Sequence, residues 1–182
     1  SSRRIRDQIR QGNLAQAARG LGRPVTVVGK VVRGSGRGEG LGFPTANLKM
    51  EHGLLPPVGV YAVWGKVGRH LYRGMANVGF RPTFSPLPGR LFGKAGKTGK
   101  TGKAGKTGSR FSPISRVSPL LEVHLFGLKR PLYGKQMTVA FLKFLRPEQR
   151  FPSPEALTQQ LMLDAWAARR VFALQARRPM LG

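Results

Sequence analysis

A chain of 182 residues with 40% hydrophobic content can bury one core and an appendage, and is too short for two full domains. Its 32 Lys and Arg against 7 Asp and Glu give a formal net charge of +25, which attracts RNA, anionic membranes and nucleotides alike in a salt-sensitive way. The lack of cysteine excludes disulfides, thiolate zinc sites and Cys nucleophiles, and no apolar run approaches the ~20 residues that span a bilayer.

Residues 1–22 read as two short helices. Ile5 and Ile9 lie four apart, Gly12-Asn13 interrupts, and Leu14, Ala17, Ala18 and Leu21 resume the period with Asn13 as the expected N-cap. Gly22 and Pro24 end this signal, so the segment is expected to be a helical linker ahead of one domain over residues 23–182. The opening residues lack the apolar stretch of a secretory signal, which makes the cytoplasm the expected compartment.

From Val25 the period becomes that of strands. Val25–Val32, Gly59–Val67, Leu71–Val78, Leu120–Phe126 and Gln136–Leu145 are the candidates, separated by Gly/Pro loops with no helix between them. That argues against a parallel βαβ sheet and for a mainly β fold, a small closed or nearly closed antiparallel barrel. Residues 89–118 differ in kind. Gly recurs every third residue from Gly93 to Gly108 with Lys at matching intervals and no acid. A phosphate-binding P-loop needs glycines five apart, and a collagen helix needs more repeats with Pro within them; neither condition is met. A low-complexity basic inserted loop is expected there. The last element is a helix, with Ser153 as cap, Pro154 in the first turn, Glu155 at the positive end, and Leu157, Leu161, Ala165, Ala168 and Phe172 along one apolar stripe that should lie on the barrel.

With 7 acidic residues the search for an acid–base group is short. Asp7 and Glu155 read as helix-terminus residues and Asp164 as mid-helix. Glu39 and Glu51 fall in loops, and Glu148 in a turn beside Pro147. In Leu121-Glu122-Val123-His124-Leu125 alternation puts Glu122 and His124 on the face opposite the apolar one, which is either solvent or a ligand pocket. A second segment runs from Gly34 to Leu48. Gly34, Gly36, Gly38, Gly40 and Gly42 let backbone N–H groups approach an anion, and Arg37 adds charge. Pro44 restrains the backbone next to Thr45 and Asn47, whose side-chain oxygens point the same way in an extended segment. Two neutral oxygens suit a magnesium ion that takes its other ligands from water and nucleotide phosphates. An ordinary turn is the competing reading of Pro44-Thr45-Ala46-Asn47.

Gly42-Phe43-Pro44-Thr45-Ala46-Asn47-Leu48 resembles the signature of the riboflavin kinase family, in bacteria the C-terminal half of the bifunctional riboflavin kinase/FMN adenylyltransferase, or FAD synthetase. The resemblance continues through Leu55-Pro56, Gly59-Val60-Tyr61-Ala62, Ala76-Asn77-Val78-Gly79-Phe80-Arg81-Pro82-Thr83-Phe84, Leu121 to Leu125, Leu132-Tyr133-Gly134-Lys135 and Leu145-Arg146-Pro147-Glu148. It implies a six-stranded Greek-key barrel with a C-terminal helix. It also implies transfer of the γ-phosphate of ATP to the 5′-hydroxyl of riboflavin, giving FMN. Thr45 and Asn47 match the family's Mg2+ ligands and Glu122 its catalytic glutamate. ATP is expected along Gly34, Gly36, Arg37, Gly38, Gly42 and Pro44. The isoalloxazine ring is expected near the last helix, with Arg146 as its candidate contact. Family members often carry an acid where Ser35 stands. Nothing in the chain resembles the adenylyltransferase half, so FAD synthesis is not expected and a separate adenylyltransferase module is an implied partner. The competing functions are a basic nucleic-acid-binding barrel, drawing on non-specific polyanion affinity, and a flavin-binding barrel without turnover.

Overall fold

The computed structural model describes residues 1–34, 39–82, 117–128 and 130–174, with 179 and 181. Cα proximity divides the chain into Ser1–Phe80 with Pro119–Gly182, which carries the elements discussed below, and Arg81–Ser118, of which only the strand ends 81–82 and 117–118 are described. The basic insertion expected over 89–118 otherwise lies outside the described residues.

Helices α1 (Ser2–Arg10) and α2 (Leu14–Leu21) are followed by strands β1 (Val25–Val32), β2 (Ala46–His52), β3 (Gly59–Val67), β4 (His70–Pro82), β5 (Val117–Leu125) and β6 (Gln136–Arg146), and by helix α3 (Pro154–Ala173). The strands close into a barrel in the order β1-β2-β5-β4-β3-β6. Strands β3, β4 and β5 are consecutive neighbours and β6 returns beside β3, which is the Greek-key arrangement. Asn13 occupies the N-cap of α2, although its side chain accepts no hydrogen bond from the helix and instead donates to Gln11 Oε1 at 3.3 Å.

Period-two alternation fills the interior. Val25, Val27, Val31, Leu48, Tyr61, Val63, Leu121, Val123, Leu125, Met137, Val139 and Phe141 form one buried cluster, joined by Ile9, Leu14 and Ala17 from the two N-terminal helices. The Tyr61 hydroxyl donates to the Pro57 carbonyl at 2.5 Å, and burial pushes its pKa up to about 12, so it stays a donor.

Strand β3 is buried on both faces because α3 covers the outer one. Ala62, Trp64, Met75 and Ala140 meet Ala165, Ala168 and Phe172 in a second cluster, and the four alanines let helix and sheet approach closely. The helix starts as its sequence dictates. The Ala156 N–H donates to Ser153 Oγ at 3.2 Å, Pro154 sits in the first turn, and the Glu155 carboxyl is held below its ordinary pKa by its own backbone N–H and by Ser153.

Two features depart from the sequence expectation. Residues 46–52 form a full strand, and Asp164 is buried inside the α3 contact at 3% exposure. Its carboxylate accepts from Arg146 Nε at 2.8 Å and from a terminal guanidinium nitrogen at 2.7 Å, with Gln160 Nε2 adding a third bond at 2.9 Å. A buried charge must be paired, and Arg146 is the partner that makes the position tolerable.

Candidate active site

Strands β2 and β5 pair antiparallel with Ala46 opposite Val123, Asn47 opposite Glu122 and Leu48 opposite Leu121. Residues directly opposite each other share a face, with Cβ atoms ~5 Å apart. Leu48, Leu121 and Val123 fill the core, so Asn47 and Glu122 stand side by side on the outer face of the barrel wall. Glu122 is half-buried there, and Asn47 is only 4% exposed.

Asn47 is covered by the chain leaving β1. A Cβ on Gly34 would overlap the Asn47 amide nitrogen and carbon, so only glycine lets this backbone lie over the side chain. Asn47 Oδ1 is buried yet accepts no hydrogen bond from any described residue. Buried acceptors are normally satisfied, and an orphaned one needs an explanation. A hard cation, which binds neutral amide and hydroxyl oxygens, supplies one. Among the described residues no group of three or more His, Asp or Glu side chains could hold a metal ion.

A cavity of about 200 Å3 opens at the end of the barrel where β1 and β5 finish and β2 begins. Gly34, Pro44, Thr45 and Asn47 line it together with Val31, Val123, Arg130, Leu132 and Tyr133. Four of the residues singled out in the sequence thus meet in one place. Glu122 is not among the described lining residues; its place is beside Asn47 on the strand wall. Gly42 is exposed, with a left-handed φ of +77° that suits glycine. Gly36, Arg37 and Gly38 lie outside the described residues.

The segment 132–135 forms the far side of the cavity through backbone bonds to β1. The Gly134 N–H donates to the Val31 carbonyl at 2.9 Å, and the Val31 N–H donates to the Lys135 carbonyl at 2.9 Å. Arg130 and Tyr133 were not expected site residues. Tyr133 falls in the block Leu132-Tyr133-Gly134-Lys135, which carries no charge pattern that marks a pocket, and Arg130 falls in none of the blocks named above.

His124, next but one to Glu122 on the same face, places Nδ1 2.9 Å from the Pro44 carbonyl. Burial lowers its pKa, the bond to Pro44 opposes that, and the Arg169 charge lowers it further.

Arg146 is not brought to this group. Strand β6 lies three places from β5 around the barrel in either direction. Three of the five guanidinium N–H groups are engaged, two by Asp164 and one by the Pro147 carbonyl at 2.9 Å. Val60 stands opposite both Arg146 and Asn77, and Asn77 Nδ2 donates to Glu148 Oε1 at 3.3 Å, so two further sequence blocks meet across β3.

The riboflavin kinase family model, Flavokinase, matches residues 21–172. The chain belongs to the riboflavin kinase family. It is 31% identical to the bifunctional riboflavin kinase/FMN adenylyltransferase of Bacillus subtilis (strain 168), over 95% of this chain and 46% of that protein. The protein of the same description from Escherichia coli (strain K12) is 33% identical over 96% and 46%, and that from Pseudomonas fluorescens 35% over 98% and 48%. The chain therefore spans about half the length of the curated relatives it matches. Among solved structures, one described as a macrolide-efflux protein from Streptococcus pneumoniae superimposes with a TM-score of 0.72 at 31% identity, covering 93% of this chain and 46% of that one. No helix among the described residues is long and apolar enough to cross a membrane.

Gly34→Ala tests the packing at Asn47. The added methyl must push the amide aside, so the variant is expected to be destabilised by about 1–3 kcal/mol, a melting temperature lower by several degrees. Thermal melts of the variant and the wild type, recorded side by side, check it.

Proposed function

We propose that this riboflavin kinase family member transfers the γ-phosphate of ATP to the 5′-hydroxyl of riboflavin, giving FMN and ADP, with Thr45 and Asn47 as Mg2+ ligands and Glu122 as general base. The observation that carries the reading is the pairing of Asn47 with Glu122 across β2 and β5, beside a cavity that Thr45 also lines.

Phosphoryl transfer passes through a loose transition state, so a protein contributes mainly by positioning and by offsetting charge. Thr45 and Asn47 would hold Mg2+, which would offset negative charge on the phosphates. Glu122 takes the hydroxyl proton as the ribityl oxygen bonds to the γ-phosphorus and the bond to the β–γ bridging oxygen breaks. Gly34, Gly42 and Pro44 shape the chain along which the triphosphate lies, with Gly36, Arg37 and Gly38 as further phosphate contacts. Riboflavin and ATP are the small-molecule partners of this reading, and the cytoplasm is its compartment. The +25 charge supports an additional, non-specific and salt-sensitive affinity for polyanions. FMN adenylylation is assigned to a separate module.

The test is direct. Incubation with riboflavin, ATP and Mg2+ is expected to yield FMN, followed by chromatography with fluorescence detection, and chelation with EDTA is expected to stop it. Flavin binding without FMN would point to an inactive barrel. Tight, salt-sensitive RNA binding without flavin binding would point to a nucleic-acid module.

A further inference from the structure

The backbone ladder between β2 and β5 ends at Ala46 opposite Val123. One step beyond it lies Thr45, and beyond that Pro44, which has no N–H with which to continue a ladder. Left there, Thr45 would be fixed on its C-terminal side only. A side chain fills the gap. His124 Nδ1 lies 2.9 Å from the Pro44 carbonyl. A carbonyl oxygen only accepts, so Nδ1 carries the hydrogen and donates it. The imidazole is itself held in place. Its ring lies 5.2 Å from that of Phe43 and 5.6 Å from that of Phe126, and the Arg169 guanidinium from α3 covers the Phe126 ring at 4.5 Å.

We propose that His124 is a positioning residue: by donating Nδ1–H to the Pro44 carbonyl it clamps Thr45 between that bond and the β2–β5 ladder, fixing the Thr45 and Asn47 oxygens relative to the Glu122 carboxylate. This inference rests on the kinase reading for its consequence, though not for its geometry. Glu122 and His124 share one strand face, so a single rigid segment of β5 sets both the base and the anchor of the opposite chain. Misplacing a reacting group by about 1 Å costs on the order of a hundredfold in rate, which is the scale of effect a lost anchor would produce.

Two substitutions separate the hydrogen bond from the packing. His124→Phe keeps a ring between Phe43 and Phe126 and removes the donor. His124→Asn removes the ring and keeps an N–H near the Nδ1 position. The Phe variant is expected to lose roughly tenfold to a hundredfold in kcat, with a raised Mg2+ requirement and riboflavin KM nearly unchanged. The Asn variant is expected to recover most of that loss. If the Phe variant fails to fold by its melting curve, His124→Gln takes its place, because its amide nitrogen sits at the Nε2 position and faces away from Pro44. Hydrogen–deuterium exchange supplies a readout independent of turnover: amides at 45–47 should exchange faster in the Phe variant than in wild type or the Asn variant, with the β1–β6 ladder unchanged. Equal exchange in all three proteins overturns the clamp, as does an Asn variant no better than Phe. Should wild type make no FMN, the kinase reading falls, and the exchange comparison still decides whether His124 holds this segment.

Discussion

Replacing Glu122 with Gln is expected to lower kcat for FMN formation by about a hundredfold to ten-thousandfold, the range over which a positioned general base contributes. Gln keeps the length and planarity of the side chain, and its amide can still hydrogen-bond beside Asn47, the residue opposite it on β2. The fold should therefore survive, since the neighbours Leu121 and Val123 that carry the core are untouched. What disappears is the capacity to accept a proton as the ribityl oxygen attacks. Because that interaction is made in the transition state and not in the bound ground state, kcat should fall while KM for ATP and for riboflavin moves little. Glu122→Asp, which withdraws the carboxylate by one methylene, should fall between wild type and Gln. Steady-state kinetics with a parallel thermal melt decide the matter. A Gln variant with unaltered kcat would remove Glu122 from the chemistry and leave the barrel with a Thr45/Asn47 site and no base.

The sequence and the structure agree most closely where one force acts alone. Val25–Val32 and Gly59–Val67 are runs of β-branched and aromatic residues bounded by Gly and Pro, and β1 and β3 take those bounds. Strand β2 was legible only as an extended stretch around Thr45 and Asn47. Its residues Lys49, Glu51 and His52 are exposed, and Asn47 sits where an apolar residue would announce a strand. Its pairing with β1 and β5 specifies it, which is long-range information that a local pattern does not carry. The same holds within the site. The Thr45, Asn47 and Glu122 candidates came from spacing and family resemblance, whereas the register that sets Asn47 against Glu122 exists only once the barrel closes. His124 looked like half of an alternating pair, and nothing local shows that its partner is a carbonyl 80 residues away. Asp164 reads only as a mid-helix acid because helix periodicity says which face is buried but not that a charge on that face has a cation waiting across the contact.

That cation sets up the largest expected loss of stability. Asp164→Ala should destabilise the fold by about 3 kcal/mol, the lower end of what removing one partner of a buried pair costs, since the Arg146 side chain keeps 17% exposure and can draw in some water. For a chain of this size that corresponds to a melting temperature lower by roughly 10 °C. The penalty arises from leaving the guanidinium unpaired against α3, not from the worth of the pair itself. Replacing both partners with apolar residues of similar volume, Arg146→Met with Asp164→Leu, should therefore recover most of the loss. A double-mutant cycle measured by thermal or urea unfolding isolates the coupling. The same double variant also tests the Arg146 flavin contact. In it α3 still packs through Ala165, Ala168 and Phe172, but no guanidinium remains on β6. An unchanged KM for riboflavin in that protein would make Arg146 an anchor for the helix alone. A KM raised by tenfold or more, about 1.4 kcal/mol of binding, would mean that one of its unengaged N–H groups reaches the ring.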